Sequence, residues 1–206
     1  KLELVINKIN SNTKYQVFCH DEVMVNVSNN RTKKLINGPF CDNFYSNMLI
    51  YGNKLSTSST IVSREYIISN KLLFRNHTNL ITVEDYDFWL HLAHNNAEFF
   101  FLNETLGEYV IEGHNISHDT KRSRQNTEIM LKDHVFNVQR FEPMKKKLWN
   151  YINNRLVIED WLYTVRSKFS FYNFSIILKI FLLNPIISAK IMFIKLSYKL
   201  GFILFK

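Results

Sequence analysis

Two adjacent stretches decide the fold: Glu84-Asp85-Tyr86-Asp87-Phe88-Trp89-Leu90-His91-Leu92-Ala93-His94-Asn95, and the run from Phe99 to Ile111 that follows. In the first, Phe88, Trp89, Leu92 and Ala93 share one face at helical spacing. Glu84, Asp85 and Asp87 crowd its opening turn, where the helix dipole favours negative charge. The second is rich in aromatic and β-branched residues, with Gly107 near its middle, and reads as a strand. A helix passing directly into a long strand predicts an α/β architecture.

Upstream, Leu2, Val5, Ile6 and Ile9 recur as on an amphipathic helix. Tyr15 to Val27 is rich in strand formers interrupted by His20-Asp21-Glu22, which predicts a strand on either side of the polar triplet. Gly38-Pro39 punctuates a loop. Asp42 to Tyr51 reads as a short helix closed by Gly52, and the hydroxyl-rich Leu55–Ser63 runs into a short strand at Thr60-Ile61-Val62. Downstream, Ile129, Val135, Val138 and Phe141 recur along a helical pattern from Lys121 to Arg140. Pro143 stops it, and a basic helix follows through Trp161.

The tail is different in kind. Asp160 is the last acidic residue, and seven of the net +8 charges lie beyond it: Arg166, Lys168, Lys179, Lys190, Lys195, Lys199 and Lys206. From Phe169 the chain is very apolar, but no uncharged run exceeds ten residues, and a spanning helix needs about 20. Pro185 divides the segment into two helical pieces. The expectation is a cationic tail lying on an anionic membrane surface, with a buried C-terminal helix pair as the alternative.

Composition narrows the class further. Aromatic residues make up 15% of the 206, with only 5 Gly and 3 Pro, which argues against disorder. Cys19 and Cys41 are too few for a disulfide scaffold, so a reducing compartment is expected. The opening has no basic-then-apolar leader, which predicts no signal peptide, and Lys1-Leu2-Glu3 begins in mid-pattern, as a fragment would. The tail lysines alternate with aliphatics and lack arginine-rich or aromatic-on-sheet signatures, so no nucleic acid partner is expected.

Three pieces in order carry a resemblance: Leu55 through Arg64, Val83 through Ala93, and Tyr109 through His114-Asn115-Ile116-Ser117. Together they resemble family 2 glycosyltransferases, in which a small-hydroxyl stretch leads to a strand, an E-D-x-D-x-W-x-x-L-A helix start follows, and a strand pair ends near H-x-N-x-S. Lys1-Leu2-Glu3 is similar to the K-L-E that follows the family's acidic metal motif. The resemblance covers roughly residues 1–120 and implies the acceptor-side part of a GT-A (Rossmann-like) domain. Residues 121–168 would then be a helical extension, and 169–206 the membrane-associating tail.

The resemblance also implies roles. Asp85 would be the general base and Glu84 its neighbour. Ser56, Thr57, Ser58, Asn53, His20, Asp21 and Tyr86 would line the acceptor cleft, with Glu22 in the same triplet as His20 and Asp21, and His114 would complete the shell of a divalent metal, Mn or Mg, in the complete enzyme. A position at a helix N-terminus is expected to keep Asp85 ionised. The implied partners are a nucleotide sugar and a glycan or lipid-linked acceptor, in assembly of a cell-surface polysaccharide at the cytoplasmic face of the membrane. The nucleotide-binding units and D-x-D motif of the family have no counterpart here, so the isolated chain is expected not to turn over.

Other readings remain open. Thr82-Val83-Glu84-Asp85 also fits a capping box, and Ser56 to Ser58 also fit a plain polar loop. A non-catalytic fragment docking to a membrane or to a partner transferase is one alternative function. The pairs His20-Asp21, His118-Asp119 and Asp133-His134 invite a metal phosphohydrolase, although His20-Asp21 lies in strand-like sequence.

Overall fold

The computed structural model describes residues 1–111, 120–139, 141–164 and 171–200. His114, the Asn115-Ile116-Ser117 segment and His118-Asp119 lie outside them. The protein is mixed α/β, with a four-stranded mixed sheet. It divides into two compact units, Lys1–Met48 with Gly52–Met130, and Leu49–Tyr51 with the chain from Leu131 onward.

In the first unit the central strand is β1 (Val17–Asn26). Along one edge it pairs in parallel with β4 (Phe99–Ile111) over its whole length. Its other edge is shared by two antiparallel partners. β3 (Thr60–Val62) lies against Val17–Cys19, and β2 (Arg31–Leu35) lies against Glu22–Asn26. Six consecutive residues, Val17 to Glu22, are buried, as in a strand covered on both faces.

The covering is largely aromatic. Phe44 meets Phe99 at 4.7 Å and Phe101 at 5.8 Å between ring centroids, and Phe99 and Phe101 share one side of β4. Phe18, Phe100 and Tyr15 cluster through the alternate positions. Burying each such ring contributes roughly 1.5–3 kcal/mol. Gly38 fits this layer because it has no Cβ: at φ +82° an added methyl would lie 2.6 Å from Phe101 Cγ.

His20-Asp21-Glu22 does not separate two strands, as the sequence predicts; it sits inside one. The pairing with β4 shifts register on both sides of Asp21, from His20↔Leu102 to Asp21↔Thr105 to Glu22↔Gly107. The extra residues, Asn103, Glu104 and Leu106, lie in β4, so β4 bulges beside the polar triplet while β1 runs on without a break. Four helices complete the unit and lead out of it: α1 (Leu2–Ser11), α2 (Phe44–Tyr51), α3 (Arg64–Ser69) and α4 (Glu84–His94). α5 (Thr120–Asp133) follows β4.

The second unit is helical. After a π-helical turn, His134–Val138, come α6 (Lys145–Thr164), α7 (Phe171–Leu183) and α8 (Pro185–Leu200). Pro185 opens α8 at the position where its missing N–H costs nothing. Ile158, Ile177, Ile180 and Ile191 form the core, packed by Trp161, Phe181 and Met192. Ser188 is fully buried where α7 and α8 meet, its hydroxyl directed to the Ile180 carbonyl at 3.4 Å. Among the described residues, no helix is long and apolar enough to cross a membrane.

Candidate functional site

The hydroxyl loop before β3 joins two acidic residues that are far apart in sequence. Thr57 Oγ1 donates to Asp85 Oδ2 at 2.7 Å, and Ser58 Oγ donates to Glu22 Oε1 at 2.7 Å. Ser56 and Ser58 hydroxyls lie 3.1 Å apart, and the Lys1 ammonium reaches the Ser58 carbonyl at 2.8 Å. Asp85 from α4 and Glu22 from β1, opposite the bulge in β4, thus face one short turn, Thr57–Ser59.

The start of α4 explains how Asp85 is held. The helix is capped at Val83, and no side chain accepts a cap hydrogen bond there. Thr82 instead adopts φ +77°, and its hydroxyl is buried without a hydrogen-bond partner among the described residues. A β-branched residue in the left-handed region is strained, and such strain persists where surrounding contacts impose it. Asn126 supplies one such contact, donating to the Ile81 carbonyl at 2.7 Å. The capping-box alternative is therefore not realised: Asp85 turns toward Thr57, its Oδ1 accepting from the Tyr86 N–H at 2.6 Å.

Burial pushes the Asp85 carboxyl above its ordinary range, and the negative charge of Glu84 adds to this. Hydrogen bonds from Thr57 and the Tyr86 N–H oppose the shift without cancelling it. The expectation from the helix dipole alone had the opposite sign; partial desolvation outweighs it. A carboxylate raised in this way is a stronger base than a free one.

Asp87, two residues on, does other work. Buried, it is gripped by Arg75 through both oxygens, with Nε at 2.8 Å from Oδ2. The two aspartates of Asp85-Tyr86-Asp87 thus have separate partners and do not form a pair.

Glu22 closes the polar triplet His20-Asp21-Glu22. It is 1% exposed, and its Oε2 has no hydrogen-bond partner among the described residues. His20 stands beside it, since a Cβ on Gly107 would lie 3.3 Å from His20 Cε1 and 3.6 Å from Glu22 Oε1. His20 Nδ1 meets the Asp21 carbonyl at 2.7 Å, while its buried Nε2 has no partner among the described residues. The available signal was the polar triplet itself: acidic residues continuing a buried apolar strand carry a desolvation cost that packing does not repay.

The other expected residues divide. Ser56, Thr57 and Ser58 lie at Asp85 and Glu22, and Glu84 is exposed one residue from Asp85. Asn53 is exposed, and its side chain accepts from the Leu55 N–H at 3.1 Å in a local turn. Asp21 has both oxygens engaged within the fold, one by the Lys34 ammonium at 3.0 Å and one by the Asn37 N–H at 3.0 Å. Tyr86 points inward; it is buried and donates its hydroxyl to the Met48 carbonyl at 2.6 Å. An acceptor contact needs an outward-facing ring, and this one serves packing. Beneath the loop, Asn37 donates to Ser59 Oγ at 3.0 Å and to the His20 carbonyl at 2.7 Å. Burial raises the Cys19 thiol there above its usual range, so it stays protonated.

No divalent-metal shell is assembled beside Asp85 among the described residues. Among the described residues, Asp85 belongs to no group of three His, Cys, Asp or Glu side chains with converging ligand atoms, and a metal of this class takes several hard donors. His114 lies outside the described residues. The chain matches no protein-family model, and comparison with curated proteins and with solved structures finds no match.

Proposed function

We propose that this chain is the acceptor-side part of a family 2-like glycosyltransferase of the GT-A fold, with Asp85 as its general base. In the reaction, an acceptor hydroxyl gives its proton to Asp85 as its oxygen attacks the anomeric carbon of a nucleotide sugar. The bond from that carbon to the diphosphate breaks, and the nucleoside diphosphate leaves with the electron pair. The carrying observation is Asp85 itself: half-buried, raised in pKa, released from capping and hydrogen-bonded to the Thr57 hydroxyl. Thr57 orients the carboxylate. Glu22, buried with one oxygen held by Ser58, anchors the hydroxyl loop that carries Thr57.

The reading extends to assembly of a cell-surface polysaccharide on a glycan or lipid-linked acceptor at the cytoplasmic face of the membrane. Because residues 1–206 alone are expected not to turn over, the test uses the polypeptide that joins them to a nucleotide-binding half and reads nucleoside diphosphate release from a panel of nucleotide hexoses, with Asp85→Asn beside the wild type. Removing a general base is expected to lower kcat by about 100- to 10,000-fold while leaving the donor KM unchanged. Wild-type protein that releases no nucleoside diphosphate from any donor, or a D85N variant of equal kcat, overturns the proposal.

A further inference from the structure

The second unit carries a surface that the transferase reading does not use. α7 and α8 bury Ile177, Ile180, Ile191 and Ser188 between them and against α6. The turn that joins them presents the reverse pattern. Leu182 is 74% exposed, Leu183 68% and Ile186 83%, three large aliphatic side chains within five residues. Leu178 lies one turn before Leu182 and is also exposed. Lys179 and Lys190 are exposed on either side of the turn, and no acidic residue occurs anywhere beyond Asp160. Lone exposed apolar residues are ordinary, but a contiguous group marks a contact surface.

We propose that the α7–α8 turn docks the protein on an anionic lipid bilayer, with Leu182, Leu183 and Ile186 entering the acyl boundary and Lys179 and Lys190 meeting lipid phosphates. The charge pattern selects this occupant. Leucines interleaved with lysines suit an interface where the aliphatic stems lie in hydrocarbon and the ammonium groups reach headgroups. A second copy meeting the same surface would bring two lysine-bearing, carboxylate-free patches together, which opposes self-association. Among the described residues neither α7 nor α8 is long and apolar enough to cross the bilayer, and the geometry is that of a shallow wedge.

Co-sedimentation of the full chain with vesicles tests this, comparing phosphatidylcholine alone with an equimolar mixture of phosphatidylcholine and phosphatidylglycerol. The wild type is expected to bind the mixture at least about tenfold more tightly, and less tightly as salt rises. L182S/L183S/I186S is expected to lose about a hundredfold in binding, and K179Q about fivefold on the anionic vesicles alone. All of these side chains are exposed, so far-UV circular dichroism should not change. Equal binding to both vesicle types, binding to neither, or a triple serine variant that binds like wild type overturns the proposal. So does a wild-type dimer in sedimentation velocity that the triple variant abolishes while vesicle binding is absent.

Discussion

Asp85 sits where its charge is costly to the fold. Its folded pKa lies above the ordinary value, chiefly through burial, so between the unfolded and folded values the native state binds more protons than the unfolded one. Stability then falls as pH rises through that window, and the loss persists at neutral pH. Asp85→Asn removes the charge while keeping an acceptor for Thr57. The variant is therefore expected to melt at a higher temperature than wild type at neutral pH, with the difference closing below about pH 3.9, where the unfolded aspartate is also protonated. Thermal melts from pH 3 to pH 7 measure this, and a variant less stable at neutral pH contradicts it. A gain in stability joined to a loss of turnover is the usual signature of a group retained for chemistry. Asp85 was legible in the sequence from its neighbours and Glu22 from its polar triplet; the burial of Glu22 was not, because one acidic residue in a strand looks the same whether it faces solvent or a buried loop.

At the scale of elements, the sheet depends on places where one strand meets several partners. β1 was legible from its β-formers and β4 from its aromatic run. β2 was not, since Arg31-Thr32-Lys33-Lys34-Leu35 has the charge of a loop. Charged residues are a common guard on an exposed sheet edge, and Lys34 also serves Asp21 across the pair. The bulge opposite Asp21 was equally hidden, because its extra residues lie within the 13-residue β4 and only pairing with β1 reveals them. Gly38 offers the direct test of this layer. Gly38→Ala places a methyl against the Phe101 ring and strains a left-handed φ, and is expected to cost about 2 kcal/mol. Urea denaturation measures it, and a neutral result would mean that the Phe101 ring gives way.

At the scale of the whole molecule, the helical unit is held by an ion network as well as its isoleucine core. Burial works to raise the Glu159 carboxyl, but the positive charges of Arg155 and Lys195, both hydrogen-bonded to it, hold it below the ordinary carboxylate range. A depressed folded pKa contributes stability above the unfolded value of about 4.3, and this is lost as pH falls through the folded value. Glu159→Gln removes one anionic partner of the buried Arg155 and of Lys195. It is expected to cost about 1–3 kcal/mol at neutral pH and to flatten the acid side of the stability profile; calorimetry across acid pH reads both. Sequence alone determined the alternation of helices and strands, the break at Pro185, the cationic tail and the acidic start of α4, because these follow from local periodicity, from proline's missing N–H and from formal charge. Only the tertiary structure decided that Glu22 joins Asp85 at one hydroxyl loop, that Asp21 and Tyr86 turn to structural partners, and that Leu182, Leu183 and Ile186 stay uncovered. Burial and register are set by contacts between residues distant along the chain, and local pattern carries no record of them.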